Sequence, residues 1–361
     1  QASVLIRTSN SQLVGYSSAS VPYKASYTYF IFGLLYAYSC TPQKGSALMA
    51  THIREFAPGS IHMVTRRTNQ GEMLLRPDPE IVKAELYLLG YGQMKYSLGV
   101  HLSQFLSNHG HQILTDKLGD RLGMFMQEFH SMLGRFVNSY WDRTQNVWDS
   151  GKANVVTIAP FAEDLVDKMA YGNNNVLEAR LVDKVSKWPG VALMATSAQK
   201  QVIKIKRPKR FFDPSGRMPD EVTLTLTLPK ALDATDEEFA DMLEREVSLR
   251  ATETRSRVKT QGLKFMGAKK VLRQSPYSKP KEPPESFSLI PTVACKNKGL
   301  RIKYLQRLKK RREKYKAFLL MLADGVKDLV FPEDTLQIHL RLGQAREDWQ
   351  GCIWETLIAE P

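Results

Sequence analysis

Cysteine is scarce in this chain: three in 361 residues, Cys40, Cys295 and Cys352, far apart and without a CxxC spacing. That excludes a disulfide framework and a cysteine zinc site, and it fits a reducing cytoplasm. Long apolar runs are also missing. The best candidate, residues 29–38, falls short of the roughly 18 residues that a spanning helix needs, so no membrane segment is expected. No internal repeat is evident. Acidic residues are outnumbered, 37 Asp and Glu against 51 Lys and Arg, for a net charge of +14 and a pI near 9.5. Such a balance attracts polyanions and releases their condensed counterions on contact, which makes nucleic acid the leading partner. A solvated Lys/Arg surface produces the same balance, so where the charge sits matters more. With 43% hydrophobic and 24% charged residues the composition is globular, and the length suggests two domains of about 100 to 200 residues.

Residues 1–48 are rich in Ser, Tyr and Ala, carry few charges and show no helical or strand period. Met49-Ala-Thr-His-Ile-Arg resembles a natural beginning, so 1–48 reads as an extension outside the fold. Within 49–190 the patterning predicts a strand at 61–65, a helix at 79–90, strand material at 96–102 and 104–114, and helices over 118–141 and 160–177. Trp188-Pro189-Gly190 then stops the pattern. This β-α-β-β-α order predicts an α+β fold: a ferredoxin-like antiparallel sheet with helices on one face. The composition shifts after Gly190, and 191–361 reads as a second, basic, mainly helical region. It holds the basic run 204–210, a strand at 222–228, an acid-rich helix at 233–250 and a proline-rich linker at 279–284. Its last helix, at 300–322, carries Lys303, Arg307, Lys310 and Lys314 on one face and Leu305, Leu308, Tyr315 and Leu322 on another.

One short segment bears chemistry. His109 and His111 stand at i and i+2 in an expected strand, so both imidazoles leave the same face. Two neutral imidazoles suit a divalent cation, which polarises a phosphodiester oxygen. By itself a His-x-His pair is more often a hydrogen-bonded pair on a partly buried strand. Tyr171 and Asn175 are i and i+4 on an expected helix, hence neighbours. If that face meets the histidine strand, Asn175 supplies an oxygen ligand and Tyr171 points at the bound phosphate. A phenol ionises near pH 10, so a cation or base must favour the phenolate. Alone, Tyr171 would be an ordinary helix tyrosine packed on the sheet.

The ordered segments PGS…VTRRT (58–68), LLRPD (74–78), SNHGH (107–111), NVWDS (146–150), AYGNNN…LV (170–182) and WPG (188–190) together resemble the REP-associated tyrosine transposases. These belong to the HUH single-strand nuclease superfamily. The resemblance covers about 52–190, with weaker echoes in KRPKRFF (206–212), VLRQSP (271–276) and LVFPEDT (329–335). It implies a metal-dependent endonuclease and strand transferase that cuts and rejoins repeat or hairpin DNA through a 5′-phosphotyrosine link. Tyr171 would be the nucleophile, with Mg²⁺ or Mn²⁺ held by His109, His111 and Asn175. The implied partner is single-stranded or hairpin DNA, the implied assembly a monomer or homodimer, and the implied location the cytoplasm, with the nucleoid. Some positions depart from the family pattern: Gly110 lies between the histidines where a bulky apolar residue is usual, Val176-Leu177 replaces Pro-Val, Arg180 replaces a common glycine, and His62-Met63 replaces Tyr-His. Gly110 predicts weaker packing behind the metal.

Basic side chains would complete a DNA site: Arg66 and Arg67, Arg135 and Arg143, and Lys204, Lys206, Arg207, Lys209 and Arg210 for phosphates, with Tyr140, Trp141 and Trp148 as stacking candidates. Trp148 and Trp188 fit the core better. The rival reading is a catalytically decayed relative that only binds nucleic acid. A water-using metal hydrolase ranks lower, because no Glu-His-His set of the usual spacing is present.

Overall fold

The computed structural model describes residues 5–7, 13–15, 54–149, 153–280, 291–326, 328–333, 345, 347–349 and 351–359. Two compact units emerge, one of 54–310 with 331–361 and one of 1–53 with 311–330. In the smaller, β1 (Leu5–Arg7) and β2 (Leu13–Gly15) pair antiparallel. The rest of the 1–48 segment, like 281–284 of the proline-rich linker, lies outside the described residues. Among the described residues no helix is long and apolar enough to cross a membrane.

The larger unit is built on β3 (Ser60–Arg67), α1 (Pro79–Tyr96), β4 (Leu98–Leu106), β5 (His109–Asp116), α2 (Arg121–Trp141) and β6 (Asn154–Ile158). The strands lie in the order β6-β3-β5-β4, every pair antiparallel. That β-α-β-β-α-β arrangement is the ferredoxin-like core. Strand alternation sorts its apolar residues: Val64, Val100 and Leu114 meet Ile81 and Leu88 of α1 and Phe125 and Phe129 of α2. Both core helices thus cover one face, as the element order predicts. The other face is not open. Ile61, Met63, Leu102 and Ile113 pack against Leu165 and Met169 of α3 (Ala162–Glu178) and Phe239 and Leu243 of α4 (Asp236–Thr260).

Two local expectations need correction. The β4–β5 connection is at Ser107-Asn108, not at position 103, because Ser103 and Gln104 are buried polar residues inside a continuous strand. β6 was missed because Val155-Val156-Thr157-Ile158 runs almost directly into the next helix.

The shift in composition at Gly190 does not mark the edge of a compact body. β7 (Ala192–Met194) pairs with the far half of β4, and the hairpin of β8 (Gln201–Lys206) and β9 (Glu221–Leu226) joins β4 through Val100 and Leu226. β10 (Val293–Ala294) adds to β6, giving eight strands among the described residues. Without these additions the outer edge of β4 would present unpaired backbone groups. A capping box between Thr235 and Glu238 starts α4, which runs on to Thr260 because nothing breaks it before Gly262. Beyond it come α5 (Ala268–Leu272), α6 (Lys298–Ala323) and α7 (Ile353–Ala359). On α6, Tyr304 and Leu308 are buried with Trp354 and Val293, whereas Leu305, placed on the apolar face by its spacing, is exposed.

Candidate metal and nucleophile site

His109, His111 and Ile113 alternate onto one face of β5, and Ile113 is part of the cluster beneath α3. The two imidazoles therefore lie further along the strip that α3 covers. Their ring centroids are 4.9 Å apart, nearly perpendicular. From α3, Asn175 places Nδ2 3.1 Å from His109 Nε2, and the Tyr171 ring sits edge-on to His111 at 5.7 Å between centroids. Tyr171 keeps 44% of its surface exposed. All four side chains that the sequence singled out as metal ligands or nucleophile thus meet at one place. Gly172 permits this approach: a Cβ there would lie 3.0 Å from Leu102 Cδ2 on β4, so a side chain would require Leu102 to give way.

Neighbours hold the imidazoles in orientation. Asn108 Oδ1 accepts a hydrogen bond from His109 Nδ1 at 2.7 Å, which puts the proton on Nδ1 and the lone pair on Nε2, where Asn175 Nδ2 donates to it. Thr65 Oγ1 lies 2.9 Å from His111 Nδ1. Gln104, opposite His111 in the β4–β5 register, donates to the Asn173 carbonyl on α3 at 2.8 Å, and its Oε1 is buried without a partner. Burial, then the Arg67 guanidinium, pushes His109 down to about 4. Burial, His109 and Arg67, in that order, hold His111 well below its ordinary value. Both rings are neutral at pH 7, the state in which imidazole binds a metal.

The donor set can be tested against a divalent cation. Among the described residues no group of three or more His, Cys, Asp or Glu side chains is placed to hold a metal. What remains is two imidazole nitrogens and one amide. Mg²⁺ and Mn²⁺ prefer oxygen to imidazole nitrogen, so this set would hold either ion only with the Asn175 amide oxygen turned inward and with phosphate and water oxygens completing the shell. The residues fit a cation that is shared with an anionic substrate.

Gly110 does not leave a void. The ring of Phe105, its partner across the β4–β5 pair, occupies the position, 2.4 Å from where a Cβ would lie. The expected weakness behind the pair is therefore absent. Trp188 is buried as expected, with Nε1 donating to the Phe105 carbonyl at 3.0 Å.

The basic residues divide. Arg67 pairs with His109 in the β3–β5 register and its charge acts on both imidazoles. Arg66, one residue earlier, turns to the opposite face, where it bonds the Asp149 carbonyl and lies over Trp148. Arg135 is exposed on α2, which also covers that opposite face. Arg143 is tied to Glu72 at 3.0 Å and rests over Tyr277. In the 204–210 run, Lys204 and Lys206 are exposed on edge strand β8, three strands from β5, or about 14 Å at the usual strand spacing. Arg207 binds Asp220 at 2.6 Å, Lys209 is exposed, and Arg210 reaches the Ser139 carbonyl and the face of Tyr140. Of these nine cations the fold brings only Arg67 to the imidazoles. Tyr140, Trp141 and Trp148 are also engaged: Tyr140 bonds Asp78, Trp141 the Leu74 carbonyl and Trp148 the His130 carbonyl. Thr65, Asn108 and Gln104 went unnoticed, since only strand register brings them beside the histidines.

No family model matches the chain, and neither does any curated protein. Among solved structures, one described as "the REP associates tyrosine transposase bound to a REP hairpin" is similar over 39% of this chain and 81% of that chain, at 18% identity and a TM-score of 0.31. A likeness that slight says nothing about chemistry.

Proposed function

We propose that this protein is a metal-dependent, transposase-like single-strand DNA nuclease and strand transferase in which Tyr171 is the nucleophile. The observation that carries the reading is the meeting of Tyr171 with His111 and of Asn175 with His109 on one sheet face. His109, His111 and Asn175 would hold Mg²⁺ or Mn²⁺, which polarises a phosphodiester oxygen and favours the phenolate. Tyr171 loses its proton to solvent, its oxygen bonds to phosphorus, and the P–O3′ bond breaks. The strand is left with a 5′-phosphotyrosine link and a 3′ oxygen that takes up a proton. Attack by a 3′-hydroxyl reverses these bond changes and rejoins DNA. Arg67 stands beside the imidazoles, where a positive charge steadies the phosphate.

The experiment is incubation with hairpin and single-stranded oligonucleotides plus Mn²⁺, read on a denaturing gel for a protein–DNA adduct. Wild type forms the adduct, and Tyr171→Phe binds the DNA without forming it. Normal cleavage by Tyr171→Phe would refute the assignment. A second reading, a nucleic-acid-binding protein without catalysis, is favoured by the amide nitrogen that Asn175 presents to His109 and by the lack of a carboxylate in the donor set. A Mn²⁺ titration in the presence of DNA separates the two. A saturable site lost in His109→Ala supports the nuclease, and no site at all supports the binder.

A further inference from the structure

The stretch from Thr254 to Pro280 contains eight Lys and Arg and not one Asp or Glu. It spans the end of α4, a turn at Gly262, the short α5 and a loop. It is bound to the core at both ends. Met266 and Gly267 donate backbone hydrogen bonds to the carbonyls of Arg180 and Leu181, just beyond α3, and Val271 is fully buried against Val176 and Leu177 of α3 and Leu106 of β4. Further on, Arg76 bonds the Gln274 carbonyl, Met73 N–H the Ser278 carbonyl, and Lys279 the Gln70 side chain. The segment is thus a strap. It starts beneath the turn of α3 that carries Asn175 and reaches the loop after Arg67, whose Gly71 carbonyl accepts from Asn108, the partner of His109.

Arg257 pairs with Glu178 and Lys279 with Gln70, but the cations between them are not used to hold the fold. Lys264, Lys269, Lys270 and Arg273, with Arg180 and Lys184 beside the strap's first anchor, are all exposed and none forms an ion pair among the described residues. Like charges gathered along one segment repel one another, a cost that a polyanion removes. The strap's two aromatic rings, Phe265 and Tyr277, are twelve residues apart, and Tyr277 is engaged by the Arg143 guanidinium over its ring and by the Trp141 carbonyl, so the segment suits contact with phosphates rather than base stacking.

We propose that this strap is a track for the sugar–phosphate backbone of single-stranded DNA leading away from the Tyr171 site. The inference rests on the nuclease reading for its substrate but concerns binding alone. The cations follow one chain segment rather than spreading over a broad surface, which fits one backbone better than the two of a duplex. Contact with phosphates makes the affinity independent of sequence and steeply dependent on salt.

The test uses full-length protein carrying Tyr171→Phe, without added metal, so that no cleavage intervenes, and fluorescence anisotropy with a labelled single-stranded 20-mer across a range of salt. Adding Lys269→Gln, Lys270→Gln and Arg273→Gln should weaken binding roughly ten-fold and flatten the slope of log K against log salt by about 2, as loss of three single-strand phosphate contacts implies. The effect should be alike for unrelated sequences, and a trinucleotide should not register it. An unchanged affinity and slope would overturn the proposal, as would a loss confined to duplex DNA. If the triple variant melts early, Lys269→Gln with Lys270→Gln, both solvent-facing, should give about two-thirds of the slope change. Failure of the nuclease reading looks different: no adduct from wild type, with the salt-dependent binding intact.

Discussion

Phe105 and Gly110 face each other across the β4–β5 pair, and the phenyl ring fills the volume that a side chain at 110 would take. Phe105 is buried against Phe129, with ring centroids 6.0 Å apart. The histidine strand is therefore backed by an aromatic ring supplied from its neighbour. Gly110→Val should destabilise by overpacking, by about 1–3 kcal/mol. Phe105→Ala should cost about 3–5 kcal/mol through the cavity it leaves. Urea denaturation of both variants and their combination checks this, and the double variant should lose less than the sum. Strict additivity would show that the two positions do not share one volume.

The hydrogen bond from His109 Nδ1 to Asn108 Oδ1 sets which ring nitrogen is bare. Long-range proton–nitrogen NMR of the metal-free protein should show the Nδ1–H tautomer at His109. Asn108→Ala should mix the tautomers and weaken Mn²⁺ binding by about ten-fold or more, the range found when such outer partners are removed. A purely structural Asn108 would leave the tautomer unmoved.

Away from the site, His62 and His101 are buried and His130 is half-buried. Burial, first among the causes, pushes His62 to about 3, His101 to about 4 and His130 to about 3. In the unfolded chain each takes up a proton near pH 6.5. Between these values the unfolded state binds more protons, so their contribution is complete above pH 6.5 and is lost as pH falls toward 4. Each histidine should take away about 1.4 kcal/mol per pH unit over that window. Denaturant midpoints from pH 7 to pH 5 measure it, and a flat profile would mean that these rings are protonated in the fold.

Arg180 closes α3 in the left-handed region, at φ 54°, where glycine is relaxed. Arg180→Gly should therefore stabilise the protein by about 1 kcal/mol, seen as a higher melting temperature. It also removes a cation beside the strap's first anchor, so affinity for single-stranded DNA should fall slightly while stability rises. A variant that loses both would show the Arg180 side chain to be part of the packing.

Much of the core was legible because it is local. The strand-forming run 61–65, entered from the Pro58-Gly59 turn, and the 3.6-residue spacing in 118–141 are set by neighbours in the chain, and both elements appear close to where the pattern sets them. The turn after β4 was not legible. Ser103 and Gln104 look like loop residues, yet they are buried within a strand, Gln104 bonded to a helix that crosses above it. β8 and β9 were read as a separate region because composition reports what a segment is made of, not which sheet edge needs a partner.

By itself the sequence determined that His109 and His111 share a strand face and that Tyr171 and Asn175 share a helix face, because backbone geometry repeats every two residues in one and every 3.6 in the other. Tertiary structure alone decided that those faces meet. The sheet is apolar on both sides, so α3 had two surfaces on which to dock, and the choice was made by the packing of Leu165 and Met169 on Ile113 and Leu102. The same packing left Arg67 beside the imidazoles and Arg66 facing away from them, a distinction no reading of two adjacent arginines can draw without knowing which face of β3 is covered by what.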